Sequence, residues 1–483
     1  MISKKIILVI PPYKESKKGH LPLLSIGYIA SFLEKNGYQI KIIDAIALDI
    51  GVEETADLIL KENPDAVGLT TVSSSRFSAI KIIKLLKDKN KGLFIFVGGR
   101  HFHSVWQESL RDIPEIDVLV RGEGEATSLE LLEAYFSGRD FKEIRGICFR
   151  LAGEIVCTGQ RPSINLDDLP MPAWHLFDLS LYHNTLEGER KTRAVGVISS
   201  RGCPNECTFC ANNSFQRTLR LRNPKKFVDE LEFLKNIYGY NGFDIWDDTL
   251  TMSRNHVLEI CDEIIKRKIN IIWYARARVN TVDEEILKKM KQAGCRIIGF
   301  GIESGSELIL KKIKKYVTLD QIKKAVYLSS KLGFITKCWF IQGLPTETLN
   351  DVKKTKDLMR QLKNYGALFG STVMNFTNFP ILYPGTPMTD EAFREEIIPK
   401  EFSWNKEIIF ERNKKFGLDP VIPMYESKNL PIEAVLEFNK NYNRRFFNLL
   451  QEFFYQLRQI KNLETLKNFT KRLGRFLFVF RSL

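Results

Sequence analysis

Three cysteines within eight residues, Cys203, Cys207 and Cys210, constrain this chain more than any other feature of its sequence. Thiolates at this density suit soft metals and iron–sulfur clusters. A cubane cluster has four irons, so three neighbouring cysteines hold three of them and leave the fourth open to a small ligand. Zinc sites with similar spacings need a fourth Cys or His nearby, whereas the closest histidines, His183 and His256, are far from the trio. The trio therefore predicts an iron–sulfur cluster with one open iron.

The spacing of these cysteines, with Phe209 directly before the last of them, resembles the signature of the radical S-adenosylmethionine (SAM) enzymes. The resemblance implies that Cys203, Cys207 and Cys210 are the metal ligands of a [4Fe-4S] cluster and the catalytic residues. It also implies that the open iron binds SAM and that reductive cleavage of SAM yields a radical that abstracts a hydrogen atom. An external electron donor of the flavodoxin or ferredoxin type would supply the electron.

Residues 1–140 alternate apolar strands with helices, beginning with a continuous apolar run at 5–10. This pattern predicts an α/β fold, with a doubly wound, Rossmann-like domain around a parallel sheet. Ligands of such sheets bind beyond the carboxyl ends of the strands. Turn chemistry explains any single loop there, but together the small and polar residues at these ends predict a ligand-binding edge. They are Thr70, Thr71, Ser73, Gly98, Gly99 and Gly122.

Four stretches of this domain resemble the cobalamin-binding domain that precedes many radical SAM cores: Pro-Pro at 11–12, LLSIGY at 23–28, VGGRH at 97–101 and RGEGE at 121–125. The resemblance implies that cobalamin is bound at the ligand-binding edge. In the wider fold a His in an Asp-x-His-x-x-Gly motif coordinates cobalt from below. That motif is absent after Asp44, which excludes a lower His ligand from this position. We expect His101 and His103 to be solvent or wall residues.

The sequence predicts that residues 141–190 form a connector, with a β-hairpin at 146–157 and a Pro-rich crossing segment. Residues 191–390 repeat a βα unit about six times, and the first predicted strand, at 194–199, leads into the cysteine loop. The repeat predicts a partial (β/α)6 barrel of the TIM type, the form that the radical SAM resemblance implies. Chemistry in such barrels lies on the loops at the strand C-termini.

Two adjacent carboxylates, Asp247 and Asp248, follow the second predicted strand of this barrel. The resemblance implies a contact with the SAM amino group here, although the family's Gly-Gly-Glu-like motif is replaced and either Asp could contribute. A helix N-cap is the alternative for one of them. Arg278, after the third strand, can grip a carboxylate or phosphate as a fork, or form a surface ion pair.

The fourth and fifth strands of the barrel are followed by two more candidates for SAM binding. Glu303 and Ser304 lie in a GIESG stretch that matches the family, and the resemblance implies contacts with ribose hydroxyls or with the methionine end of SAM. Gly343 after the fifth strand would let the backbone approach an adenine. Cys338, within that strand, is either a buried apolar residue or a side chain facing the barrel interior.

The sequence indicates a cytoplasmic protein with a basic C-terminal region. No window reaches the roughly 18–20 apolar residues of a bilayer span, and eight cysteines without a secretory signal indicate a reducing compartment. About half of the net charge of +14 lies in the last 40 residues, within a helical region predicted at 391–483. We expect a helical cap on the barrel; the alternative is an amphipathic anchor that makes peripheral contact with anionic lipid. Nucleic acid is disfavoured because no small β-barrel RNA-binding module follows the core.

These features together predict a radical SAM enzyme that uses cobalamin to methylate an unactivated carbon or phosphorus of a small-molecule or lipid-like substrate. One SAM would supply the methyl group and a second the radical, while the cofactors carry the hard steps. The first alternative is a cobalamin-dependent radical SAM cyclase or rearrangement enzyme without methyl transfer. Others are a non-catalytic iron–sulfur redox sensor, which would need no SAM pocket, and a zinc-binding nucleic-acid module.

Overall fold

The computed structural model describes residues 4–13, 20–189, 191–215 and 217–442. Two largely parallel sheets organise this part of the chain, one within residues 5–157 and the other within residues 194–378. The α/β fold class that the sequence predicts is confirmed. Of the helical region predicted at 391–483, residues 443–483, and the membrane contact expected from them, lie outside the described residues. The described part is helical up to Arg394, at Glu411–Lys415 and at 432–442, and is otherwise largely irregular, so the prediction was only partly correct there.

The first sheet has seven strands in the order β2-β1-β3-β4-β5-β6-β7. Its strands are β1 (Lys5–Ile10), β2 (Gln39–Asp44), β3 (Ala66–Thr70), β4 (Phe94–Gly98), β5 (Val118–Val120), β6 (Ile147–Leu151) and β7 (Glu154–Cys157). The helices between them are α1 (Leu24–Lys35), α2 (Ala45–Leu48), α3 (Val52–Lys61), α4 (Arg76–Lys89), α5 (Arg100–Ser104), α6 (Trp106–Asp112) and α7 (Glu125–Ser137). Strands β1 to β5 pair in parallel, so their carboxyl ends meet at one edge.

Strand β1 is apolar from Ile6 to Ile10 because helices cover both faces of this sheet. Its side chains point alternately to the two faces. Ile6, Leu8 and Ile10 pack into one buried cluster, whereas Ile7 and Val9 pack into another. The continuous apolar run in the sequence therefore reports a central, doubly covered strand.

The hairpin predicted in the connector forms part of the first sheet. Strand β6 pairs antiparallel with β5, and β7 pairs antiparallel with β6. This pairing covers the backbone groups that β5 would otherwise expose as an edge strand. Cys148 and Cys157 lie opposite each other in the hairpin and form a disulfide, with their Cα atoms 4.2 Å apart. The sequence alone does not specify this pair, since cross-strand register decides which side chains meet.

The second sheet is a partial barrel. The strands that follow the first sheet are β8 (Ala194–Val197), β9 (Ser200–Arg201), β10 (Arg220–Leu221), β11 (Gly242–Ile245), β12 (Ile272–Ala277), β13 (Cys295–Glu303), β14 (Ile335–Ile341) and β15 (Thr372–Asn378). Six of them form a parallel sheet in the order β15-β14-β13-β12-β11-β8. Within the described residues β8 and β15 are its two edges, so the predicted six-stranded barrel is present and open.

Helices on the outside of this sheet complete the βα repeat and continue beyond it. They are α8 (Asn212–Phe215), α9 (Pro224–Tyr238), α10 (Arg254–Lys266), α11 (Glu284–Gln292), α12 (Glu307–Lys312), α13 (Leu319–Lys331), α14 (Leu349–Phe369), α15 (Pro387–Arg394) and α16 (Glu411–Lys415). Buried Arg76 donates from Nε to the Trp404 carbonyl at 2.8 Å, which ties the segment after the barrel to the first domain.

None of the helices in the described residues is both long and apolar enough to cross a membrane.

The ribbon formed by β9 and β10 closes the base of the cysteine loop. Arg201 pairs with Arg220 and Ser200 with Leu221 in this antiparallel ribbon. Gly202 follows with φ +91°, and a Cβ atom there would lie 2.1 Å from the Thr218 carbonyl oxygen. The residues on either side of the loop are therefore in close backbone contact at its neck.

Candidate active site at the junction of two cavities

The three cysteines of the loop line a single cavity of about 600 Å³ at the carboxyl edge of the second sheet. All three are free thiols. Asn205 Nδ2 donates to Cys203 Sγ at 3.1 Å, and Arg278 Nη1 lies 3.7 Å from Cys207 Sγ. Strand β8 and the ribbon thus deliver the trio to the end of the barrel at which βα barrels carry their chemistry.

The donor set fits a [4Fe-4S] cluster. Each thiolate of such a cluster binds a different iron, so the sulfurs surround a volume and need not converge on a point. In the described part of the chain no three His, Cys, Asp or Glu side chains are grouped as a site for one metal ion. Arg278, which is 6% exposed, brings a positive charge to the sulfur side of the cavity.

The two candidate carboxylates, Asp247 and Asp248, have different surroundings in the structure. Asp247 is buried and accepts hydrogen bonds from Ser199 N at 2.7 Å, from Ser199 Oγ at 2.6 Å and from Ser200 Oγ at 2.6 Å. Burial raises the pKa of Asp247, and the serine hydrogen bonds partly offset this. Asp247 therefore supports the backbone just before the cysteine loop, while Asp248 lines the cysteine cavity.

Glu303 also lines the cysteine cavity, at a backbone φ of +72°. Its carboxylate pairs with the Lys315 ammonium at 2.7 Å, and both side chains are 7% exposed. The described lining does not include Ser304 or Gly343. Ser304 is turned towards Thr355, 3.3 Å away between hydroxyl oxygens, and Gly343 N donates to the Glu347 carboxylate.

Cys338 is fully buried in the hydrophobic core. Its neighbours Lys337 and Trp339 line the cysteine cavity instead. This alternation follows from strand geometry, because successive side chains of β14 point to opposite faces. The apolar interpretation of Cys338 is the one that its position supports.

A second cavity, of about 320 Å³, lies at the carboxyl edge of the first sheet. Five of the six residues expected at this edge line it: Thr70, Thr71, Gly98, Gly99 and Gly122. Ser73 lies behind it, with its hydroxyl 3.1 Å from His101 Nδ1. His101 is buried and His103 is partly buried, with His103 Nδ1 accepting from Gly122 N at 3.1 Å. The two histidines are therefore support residues of the loops around this cavity.

The lining of the second cavity fits a large ligand held by backbone and small side chains. Gly99 adopts φ +93°, and a Cβ atom there would lie 2.5 Å from both N and O of Thr71. Thr71 is 1% exposed, and within the described residues its Oγ1 has no hydrogen-bond partner. Gly122 also lines the cavity, and a Cβ atom there would meet no described atom within 4 Å, so the backbone is open to a bound molecule at this point. The cavity thus suits cobalamin, for which the Rossmann-like edge is the expected site.

Asp248 is the residue of the described structure that lines both cavities. The second cavity is also bounded by Arg201, Gly202 and Trp246, from the barrel side. The sequence analysis missed these three residues and Lys315. Their signal was weak: Arg201 and Gly202 directly precede Cys203, and Trp246 directly precedes the Asp pair, but no motif marks Lys315.

An open iron–sulfur site facing a Rossmann-like cofactor cavity is typical of enzymes that join radical chemistry to a second cofactor. Comparison with known proteins agrees at both ends of the chain. Residues 197–359 match the model of the Radical SAM superfamily, and residues 14–132 match the B12 binding domain.

Three similar proteins span most of the chain. An uncharacterized methyltransferase of Pyrococcus horikoshii, PH0819, is 32% identical over 83% of this chain and 86% of its own length. An anaerobic magnesium-protoporphyrin IX monomethyl ester cyclase of Rubrivivax gelatinosus is 28% identical over 92% of this chain and 84% of its own. The structure of TsrM from Kitasatospora setae, a radical SAM methyltransferase with cobalamin and a [4Fe-4S] cluster bound, superposes with a TM-score of 0.67. It is 20% identical and covers 82% of this chain and 75% of that one.

The chain belongs to the radical SAM superfamily and carries a B12-binding domain at its N-terminal end. It is an enzyme whose cofactors are a [4Fe-4S] cluster, SAM and cobalamin. The resemblances drawn from the cysteine loop and from the strand ends of the first domain are confirmed.

Proposed function

We propose that this protein is a cobalamin-dependent radical SAM methyltransferase that methylates an unactivated carbon or phosphorus of a small-molecule or lipid-like substrate. One observation carries the proposal: Asp248 lines both the cysteine cavity and the cobalamin cavity. A methyl carrier in one cavity and SAM in the other would therefore meet at one carboxylate.

When bound, the cluster and SAM supply a hydrogen-abstracting radical, and cobalamin carries a methyl group from a second SAM to the substrate. The protein's own residues hold and shield these groups. In our proposal Cys203, Cys207 and Cys210 bind three irons of the cluster, and the Asp248 carboxylate accepts hydrogen bonds from the SAM ammonium group. Glu303, held by Lys315, would accept hydrogen bonds from ribose hydroxyls.

The interior of the barrel supports a substrate without a strong net charge. Three of the four cations in its described lining pair with carboxylates: Arg276 with Asp244 at 2.6 Å, Lys337 with Glu187 at 2.6 Å and Lys315 with Glu303 at 2.7 Å. The fourth, Arg278, lies beside the Cys207 sulfur. Between them the wall is aromatic, with Trp339, which lines the cavity, stacked on Phe376 at 4.4 Å between ring centroids. Such a wall favours an apolar or planar substrate over a polyanion. An external electron donor of the flavodoxin or ferredoxin type and a cytoplasmic location belong to the same proposal.

A second function is favoured by one finding. The relative from Rubrivivax gelatinosus is named as a cyclase and covers 92% of this chain. A cyclase would use the same cofactors to close a ring on its substrate without transferring a methyl group. Product analysis separates the two functions, because methyl transfer converts one SAM to S-adenosylhomocysteine and radical formation converts another to 5′-deoxyadenosine.

The test is anaerobic reconstitution with iron, sulfide and hydroxocobalamin, followed by incubation with SAM and titanium(III) citrate. We expect about four irons per chain, retained cobalamin, and both S-adenosylhomocysteine and 5′-deoxyadenosine. The Cys207→Ala variant should lose 5′-deoxyadenosine. Deoxyadenosine without S-adenosylhomocysteine would favour the cyclase, and iron without retained cobalamin would contradict methyl transfer.

A further inference from the structure

Both ends of the cysteine loop are joined to the cobalamin domain through one carboxylate. Arg201, before the loop, donates from Nη1 to Glu123 Oε1 at 2.7 Å. Arg220, after the loop, donates from Nη1 to Glu123 Oε2 and from Nη2 to Glu123 Oε1, each at 2.8 Å. Arg201 also donates from Nη2 to Glu125 Oε1 at 2.7 Å. We call these four residues, Glu123, Glu125, Arg201 and Arg220, the interdomain latch.

The latch is well shielded from water. The side chains of Arg201 and Glu123 are 13% and 12% exposed, and that of Glu125 is 4% exposed. Burial lowers the pKa of Arg201, but Glu125 and Glu123 more than offset this, so that its pKa is raised overall. Charge-assisted bonds with little solvent screening are stronger and more directional than exposed ion pairs. The latch therefore fixes the relative position of the groups that it joins.

The groups joined by the latch are parts of the two cofactor sites. Glu123, Glu125, Arg201 and Gly202 all line the cobalamin cavity, and Cys203 directly follows Gly202. At Gly202 the backbone is in close contact with the Thr218 carbonyl, so the neck of the loop has little room to flex. A shift of the latch would be passed on to the first cluster cysteine within two residues.

We propose that Arg201 is a positioning residue that sets the distance between the cobalamin cavity and the cluster cysteines. The proposal rests on the proposed function, since this distance matters when a methyl group passes from SAM to cobalamin. Arg201 need not touch the reacting atoms. Its loss should misplace one cofactor against the other, while the cluster and its SAM site remain intact.

The expected signature is a split between two products of SAM. Reductive cleavage of SAM needs the cluster alone, so 5′-deoxyadenosine formation should be little changed in Arg201→Met. Methyl removal needs both cofactors in register, and a misplacement of about 1 Å can reduce a rate on the order of 100-fold. Formation of S-adenosylhomocysteine should therefore fall by about that factor. Cobalamin affinity, measured by titration with hydroxocobalamin, should change much less.

A second readout does not depend on turnover. Hydrogen–deuterium exchange of the full chain should rise in segments 118–130 and 200–222 of the Arg201→Met variant. Because this change alone leaves the Glu125 carboxylate buried without that partner, it should also lower the melting temperature. In the double variant with Glu125→Gln the exchange should still rise, with little change in the melting temperature. The matched control is Arg217→Ala, which removes an exposed pair with Glu206 in the same loop.

The outcomes separate the two proposals. A lower ratio of S-adenosylhomocysteine to 5′-deoxyadenosine in the single and double variants, but not in Arg217→Ala, would support the positioning role. An unchanged ratio in both variants, or a parallel loss of both products in the double variant, would overturn it. If the wild-type protein forms no S-adenosylhomocysteine, the methyl-transfer function fails, and hydrogen exchange in the two segments decides whether the latch exists.

Discussion

The loop that follows β4 offers the sharpest test of the cobalamin cavity, through the change Gly99→Ala. Gly99 has φ +93° and ψ 169°, a region of backbone space essentially reserved for glycine. Holding an alanine there costs of order 1–3 kcal/mol. The new Cβ would also lie 2.5 Å from backbone atoms of Thr71, and forced overpacking costs about 1–3 kcal/mol more. Alanine also lowers the conformational entropy of the unfolded chain, which favours the folded state by about 0.4–1 kcal/mol.

The expected net effect is a loss of about 3 kcal/mol in the free energy of unfolding, within bounds of roughly 1–6 kcal/mol. Two neighbouring glycines serve as controls. In Gly98→Ala the new Cβ would lie 3.7 Å from the nearest atom at ordinary φ, so stability should stay within about 1 kcal/mol. In Gly122→Ala the φ of +82° is strained, but no atom of the described residues lies within 4 Å, and the loss should be about 1 kcal/mol.

Urea unfolding of the three variants, followed by far-ultraviolet circular dichroism, gives the comparison. Displacement of Thr71, which lines the cobalamin cavity, should also weaken cobalamin binding in Gly99→Ala. If Gly99→Ala unfolds at the same urea concentration as Gly98→Ala, the close approach to Thr71 is not a constraint, and the steric reasoning is wrong.

Three further changes test other parts of the structure. Burial raises the pKa of Glu347 from 4.5 to about 7, so the folded protein holds the proton more tightly than the unfolded chain. Relative to Glu347→Gln, the wild-type free energy of unfolding should therefore fall by about 3 kcal/mol between pH 4.5 and pH 7, and the difference should stay level above pH 7. Urea titrations at several pH values that show no such difference would contradict this. Lys315→Met leaves the Glu303 carboxylate buried and uncompensated, so the free energy of unfolding should fall by about 3–5 kcal/mol. Much of this loss should be recovered when Glu303→Gln is added. A double-mutant cycle with additive losses would show that the pair is not coupled. Arg278→Met removes a positive charge near Cys207 Sγ, so the cluster's reduction potential should become more negative by on the order of 50 mV. An anaerobic redox titration measures this shift, and an unchanged or higher potential would refute an electrostatic role for Arg278.

Much of the site could be predicted because its chemistry is local in the sequence. The cluster loop needs three thiols at close spacing, and Cys203, Cys207 and Cys210 lie within eight residues. The glycines and threonines at the strand ends of the first domain could be predicted for a related reason. Parallel strands bring their carboxyl ends to one edge, so any such residues lie together whatever the details of packing.

The contacts between distant segments could not be predicted. Arg201 and Glu123 are 78 residues apart, and nothing in either segment specifies the other. The same holds for the hairpin at 147–157, which the sequence assigns to a connector and the structure adds to the first sheet. Its strand pattern was correct, but the choice of partner strand depends on which sheet edge is left uncovered.

The sequence by itself predicted the α/β repeat, the ligand-binding edges of the two sheets and the three cysteines that we propose as cluster ligands, since these predictions rest on residue spacing and on the period of the apolar pattern. The tertiary structure decided which neighbour faces a cavity and which supports it. Asp248 rather than Asp247, and Lys337 rather than Cys338, line the active site. Successive side chains of strand β14 point in opposite directions, which separates Lys337 from Cys338. Asp248 begins a turn after β11, and the path of that turn, set by packing against the rest of the chain, separates it from Asp247.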